Sequence, residues 1–153
     1  GATTTGTDPV SDTERLREIA ALYARFVDRR EFDRLPEILV ANASIAVHPG
    51  APATTAPLYE VEGVMVIQQA FELLRRYQRT FHFVGQQLLS DVSADSARGE
   101  TYCVANHFHH SDGKDHNYVM YIRYQDRFTR EGGVWKLAER QLIVDRTEGE
   151  DIG

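Results

Sequence analysis

Four stretches decide how this chain folds: TFHFVGQQLLS (80–90), ARGETYCVANHFH (97–109), HNYVMYIRYQDRFTR (116–130) and VWKLAERQLIVDR (134–146). All are rich in β-branched and aromatic residues, and polar turns at 91–96, 111–115 and 131–133 separate them. The pattern predicts long strands in a meander. Strands beyond about ten residues are long for a flat sheet, so strong curvature and bulges are expected.

Upstream of the strands the period changes to that of helices. Ser11-Asp12-Thr13-Glu14 has the form of a capping box, in which serine and glutamate satisfy each other's free backbone N–H groups. Leu16, Ile19, Ala20, Tyr23, Phe26 and Val27 follow at helical spacing, which predicts a helix over 12–28. A short helix is expected over 33–40 with Pro36 in its first turn, where proline is tolerated. Residues 42–48 alternate like a strand, and HPGAPATTAP (48–57) is a loop of the length that often serves as a lid. A short strand over 58–61 precedes Gly63, which opens a second long helix. Its stripe is Val64, Ile67, Phe71 and Leu74, with Arg75, Arg76 and Arg79 on the wet side. Helices first and an antiparallel sheet after make an α+β domain whose helices pack on one sheet face. The domain spans residues 11–146, between a flexible N-terminal tail (1–10) and a C-terminal tail (147–153).

A length of 153 residues suits one domain, which buries roughly 70% of its unfolded surface and needs no disulfide or metal to fold. The net charge of −6 argues against nucleic acid and anionic membrane as partners, since both require a basic face. Cys103 is the single cysteine and reads as a small buried residue in a reducing interior. No apolar run approaches the roughly 18–20 residues of a membrane span, and residues 1–10 lack the pattern of a secretory signal, so a cytoplasmic location is expected. There is no G-x-S-x-G, P-loop or G-x-G-x-x-G, which removes support for a serine hydrolase, a nucleotide kinase or a Rossmann oxidoreductase.

Side chains alternate across a strand. Tyr118, Met120, Ile122, Tyr124 and Phe128 share one apolar face, on which Met120 and Tyr124 are candidate substrate contacts. Thr101, Cys103, Ala105 and His107 share another, and small residues beside a histidine leave space for a cavity. The opposite face, with Tyr102, Val104 and Phe108, is too apolar for bare solvent and is assigned to contact with another subunit. On the last strand Ala138, Arg140, Leu142 and Val144 share a face, with Trp135 and Leu137 on the other.

His82 stands in an otherwise apolar strand, where a neutral imidazole can act as a general base near pH 7. It needs a partner on its second nitrogen. Asp28 ends an apolar helical stripe, and a buried carboxylate requires a partner of its own. The pair is either a structural contact or a catalytic dyad. Tyr23 is a core aromatic or a proton donor. His107, His109 and His116 flank one hairpin end and read as surface histidines, with a metal site as the rival. Arg140, alone on a largely apolar face, clamps a substrate oxygen or forms a structural ion pair.

Taken together, Leu22-Tyr23…Val27-Asp28-Arg29, Thr80-x-His82 with Gly85 after it, Gly99-Glu100-Thr101-Tyr102-Cys103 and Gly133-Val134-Trp135-Lys136…Arg140 resemble the SnoaL-like proteins of the nuclear transport factor 2-like superfamily. The likeness is greatest to the branch holding scytalone dehydratase, the bile-acid dehydratase and lindane dehydrochlorinase, and it spans about residues 12–146. It implies a cystatin-like α+β barrel, a cone with the N-terminal helices packed in a strongly curved antiparallel sheet. It also implies a catalytic His82–Asp28 dyad, Tyr23 at the position of the dehydratases' helix tyrosine, His107 as a second pocket histidine, Arg140 as a pocket arginine and Tyr59 as a substrate contact. Asn106 or His107 stands where the bile-acid dehydratase has an acidic residue, which leaves that enzyme's detailed mechanism outside the resemblance. The implied activity is that of a cofactor-free, metal-free lyase of dehydratase type on a small apolar molecule, in a dimer or trimer. An isomerase or polyketide cyclase using the same base, and a non-catalytic small-molecule-binding or assembly module, are the alternatives.

Overall fold

The computed structural model describes residues 11–153. The tail expected over 1–10 lies outside the described residues. Helix α1 runs Asp12–Asp28, as the periodicity predicts. Ser11 caps it, its hydroxyl accepting from the Glu14 N–H at 3.2 Å. The Glu14 carboxylate turns to that hydroxyl, so half of the capping box is realised. Leu16, Ile19, Ala20, Tyr23, Phe26 and Val27 are all buried against the sheet.

Between the helices the chain departs from expectation. A 3₁₀ turn occupies Phe32–Glu37, with Pro36 near its end, and β1 starts at Leu39 and runs to His48. Val40 is therefore in a strand. After the loop, β2 covers Tyr59–Glu62 and α2 only Val64–Phe71, before the backbone tightens into a 3₁₀ turn at Glu72–Arg76. Gly63 caps α2 with φ 95°, a conformation that glycine adopts without steric cost. Val64 and Ile67 are buried, while Phe71 and Leu74 pack partly buried on the same core.

The four long strands are present: β3 Arg79–Ser90, β4 Ser96–Ser111, β5 Lys114–Glu131 and β6 Val134–Glu148. They form a meander, and β1 joins it beside β6 to give the order β2-β1-β6-β5-β4-β3. The β1–β6 pair is parallel, so the sheet is mixed rather than wholly antiparallel. Curvature comes from the expected bulges. In β3 the register slips between Val84 and Gln87, and β5 and β6 slip at two places. One slip leaves Ala138 without a partner between Glu139 and Leu137. The extra residue reverses the inward face, so Trp135 and Leu137 are buried on the core together with Arg140, where strict alternation separates them.

On β4 the inward face is the one bearing Thr101, Cys103, Ala105 and His107. Outside, Phe81 and Phe83 of β3, Tyr102 of β4 and Tyr121 of β5 are exposed. No helix among the described residues is long and apolar enough to cross a membrane.

Beyond β6 the chain docks back on the sheet. His109 Nε2 donates to the Glu150 carbonyl at 2.7 Å, and the Tyr77 hydroxyl donates to Asp151. Gly149 makes this possible: its φ is 80°, and a Cβ there would stand 2.0 Å from the Asn117 carbonyl oxygen. Gly149→Ala is expected to lower stability by about 1–3 kcal/mol, with faster amide exchange around Tyr77 and His109. Hydrogen-exchange mass spectrometry reads both; protection equal to that of the parent chain would contradict the close approach.

Candidate active site

The end of α1 and the start of β3 meet at Asp28 and His82. His82 Nδ1 stands 2.7 Å from Asp28 Oδ1, and the His82 backbone N–H donates to Oδ2 at 2.9 Å. The Thr80 hydroxyl donates to Oδ1 at 2.9 Å. An ionised carboxylate only accepts, so Nδ1 carries the proton and Nε2 is left as the basic nitrogen. The side chains are 8% and 22% exposed for His82 and Asp28, so solvent screens the contact weakly. Burial raises the Asp28 carboxyl, but the hydrogen bonds and charge of His82 and the bond from Thr80 outweigh it and hold the carboxyl below its ordinary range.

That direction carries a sign. A group whose folded value is depressed contributes stability above its unfolded value and loses it as the pH falls through the folded one. The stability difference between the parent protein and Asp28→Asn is therefore expected to shrink below about pH 4. Urea titrations at pH 7 and pH 3 would measure it, and a difference that grows in acid would contradict it.

His107, expected as a second pocket histidine, lies near the pair. His107 is buried, its ring 6.2 Å from that of His82 by centroids, and its Nδ1 donates to the Tyr118 carbonyl at 2.8 Å. Burial pushes its imidazole below the ordinary value, which favours the neutral ring. Tyr23 faces the same interior, with ring contacts to Phe71 and Tyr124, each 5.9 Å by centroids. Burial pushes its phenol up to about 12, so it is a proton donor and not an anion at neutral pH. Tyr124 is buried beside it, and Met120, half-buried, stands across from Ala105. Ala105 is in turn the partner of His82 on β4.

Other candidates are placed differently. Tyr59 lies on β2, at the sheet edge opposite β3, and half of it is exposed, so it is not gathered around His82. Arg140 forms a bidentate pair with Asp126, Nε and Nη2 each 2.9 Å from a carboxylate oxygen. Its guanidinium carbon lies 4.3 Å from the Tyr23 ring centre and 3.7 Å from that of Tyr124. The ion-pair alternative is thus realised, and only the buried Nη1 has no hydrogen-bond partner. His109 is buried, not a surface residue; it bonds Ser111 and Glu150 and stacks on His116 at 4.9 Å. Among the described residues no group of three or more His, Cys, Asp or Glu is placed to hold a metal.

Two partners escaped the sequence argument. Asp126 follows Tyr124 by two positions on the inward face, a pattern that could have flagged it as the counter-ion of Arg140. Thr80 stands two before His82 and shares its face. A cleft of about 390 Å³ opens at the β3 bulge between Ala20, Val84, Gly85, Gln87 and Thr101. His82 and Asp28 are not in its lining, which includes Val84, the next inward residue on β3 after His82.

Solved structures share the fold. Similar folds include a protein from Kribbella flavida, 18% identical over 92% of this chain and 95% of that one, with a TM-score of 0.77. A putative scytalone dehydratase from Novosphingobium aromaticivorans is 18% identical over 98% and 94%, with a TM-score of 0.78. A hexachlorocyclohexane dehydrochlorinase from Novosphingobium barchaimii is 16% identical over 94% and 92%, with a TM-score of 0.75. At these identities the likeness shows the shared cone fold. No curated protein matches the chain in sequence. The family model of the SnoaL-like domain matches residues 8–141, nearly the whole chain, and the protein belongs to that family.

Proposed function

We propose that the protein is a lyase that eliminates water or a similar small leaving group from an apolar, ring-containing molecule. The observation that supports this most is the 2.7 Å contact between His82 Nδ1 and Asp28, largely buried where α1 meets β3. In this reading Nε2 of His82 takes a proton from a carbon next to an activating group, while Asp28 orients the ring and stabilises its charged form. Tyr23 donates to the departing oxygen, because the neutral His107 ring gives its one N–H to the Tyr118 carbonyl. The electron pair left on carbon forms the new double bond as the leaving group departs. The guanidinium of Arg140 is committed to Asp126, and in this reading it braces the interior behind Tyr23 and Tyr124 rather than meeting the substrate.

The cleft at the β3 bulge gives access in this reading, with Val84 moving aside for the substrate to reach His82. The exposed rings of Phe81, Phe83 and Tyr102 support assembly as a dimer or trimer through the outer sheet face. The free, buried Cys103 fits a reducing cytoplasm. A panel of β-hydroxy and β-halo ring ketones, followed by absorbance of the conjugated product, tests the chemistry. Turnover that needs His82 supports the lyase; ligand binding with no turnover by any member would leave a binding module.

A further inference from the structure

Helix α1 ends in a Schellman cap: the Glu31 N–H donates to Phe26 O at 2.8 Å and the Arg30 N–H to Val27 O at 3.1 Å. This cap puts residue 30 in the left-handed region, φ 60°, where glycine is usual and a long side chain is strained. The guanidinium of Arg30 gives a reason for the exception. It donates to Thr80 Oγ1 at 2.7 Å, to Val27 O at 2.9 Å and to Leu74 O at 3.0 Å. The same Thr80 hydroxyl donates onward to Asp28 Oδ1. A hydroxyl that accepts from a cation is a stronger donor to the next acceptor.

Asp28 needs such help. As the last residue of α1 it faces the negative end of the helix dipole, and it is largely buried as well. Both features oppose a charged carboxylate.

We propose that Arg30 and Thr80 are positioning residues, and that the relay from Arg30 through Thr80 stabilises the Asp28 carboxylate and aims it at His82 Nδ1. The functional meaning of the relay rests on His82 and Asp28 being the reacting pair, but its existence is testable without turnover. The other charge felt by Arg30 is Arg75, whose cation opposes it, and the charge of Arg30 in turn reaches the His107 ring.

The test is a carbon-13 carboxyl NMR titration of Asp28 in the full chain, in the parent and in Thr80→Val, Thr80→Ser and Arg30→Gly. The midpoint is expected to rise by about half a pH unit or more in Thr80→Val and Arg30→Gly, and to return in Thr80→Ser. Arg30→Gly is the discriminating variant, because glycine suits the backbone of the cap and keeps the helix end. An arginine that only braced the fold would change the melting temperature and leave the Asp28 midpoint in place. An unchanged midpoint in the folded variants, or a shift that serine does not reverse, overturns the relay while leaving the His82–Asp28 pair untouched. Full turnover by a His82 variant would do the opposite: the lyase reading would fall and the relay would stand.

Discussion

Asp126→Ala is expected to cost about 3–5 kcal/mol of stability, the largest effect of any single change considered for this protein. Asp126 and Arg140 sit on adjacent strands with side chains 0% and 1% exposed. Removing the carboxylate leaves a guanidinium in the core with neither water nor counter-ion, held only against the rings of Tyr23 and Tyr124. Burial already pushes the Asp126 carboxyl up, against the pull of Arg140, so the pair survives by its two matched hydrogen bonds. The companion experiment is the double change Asp126→Leu with Arg140→Met. It is expected to recover most of the loss, because an apolar pair of similar volume carries no desolvation cost. Urea unfolding of the single and double variants measures both. A single-variant loss below about 1 kcal/mol would mean that water reaches the guanidinium and that the core is not sealed there.

His82→Ala is expected to reduce turnover of any substrate found in the ketone panel by about 10²–10⁴-fold, the usual contribution of a positioned base. The fold is expected to tolerate the change, since His82 is not part of the apolar cluster that fills the cone. Asp28→Asn leaves the imidazole present but offers an amide to its Nδ1, so the ring can bind in the wrong tautomer. A substantial loss is expected there too, with less effect on substrate affinity. Steady-state kinetics with melting curves separate these effects. Activity of His82→Ala within threefold of the parent, in a folded sample, would remove the base from the mechanism.

The same two pairs show how much was legible in the chain itself. The four long strands, their turns and the bounds of α1 followed from residue type and period, because local preference and burial agree there. The His82–Asp28 contact was legible as chemistry: each residue was polar in an apolar run and needed a partner. Distance along the chain hid the Arg30–Thr80 relay, 50 residues apart, and nothing in the spacing marks a strained arginine at a helix end. The separation of Trp135 and Leu137 from the Arg140 face of β6 failed for a related reason. One unpaired residue reverses the alternation, and a bulge has no sequence signal as strong as the strand that contains it.

What the sequence determined alone was the set of elements and the residue types competing for burial, because both depend on neighbours within a few positions. Which strands pair was decided only in three dimensions: β1 lies parallel to β6 although the chain between them crosses the whole sheet. So was the partnership of each buried charge. A carboxylate or guanidinium must leave water with a counter-group, and which one it finds depends on register, curvature and the reach of the side chain.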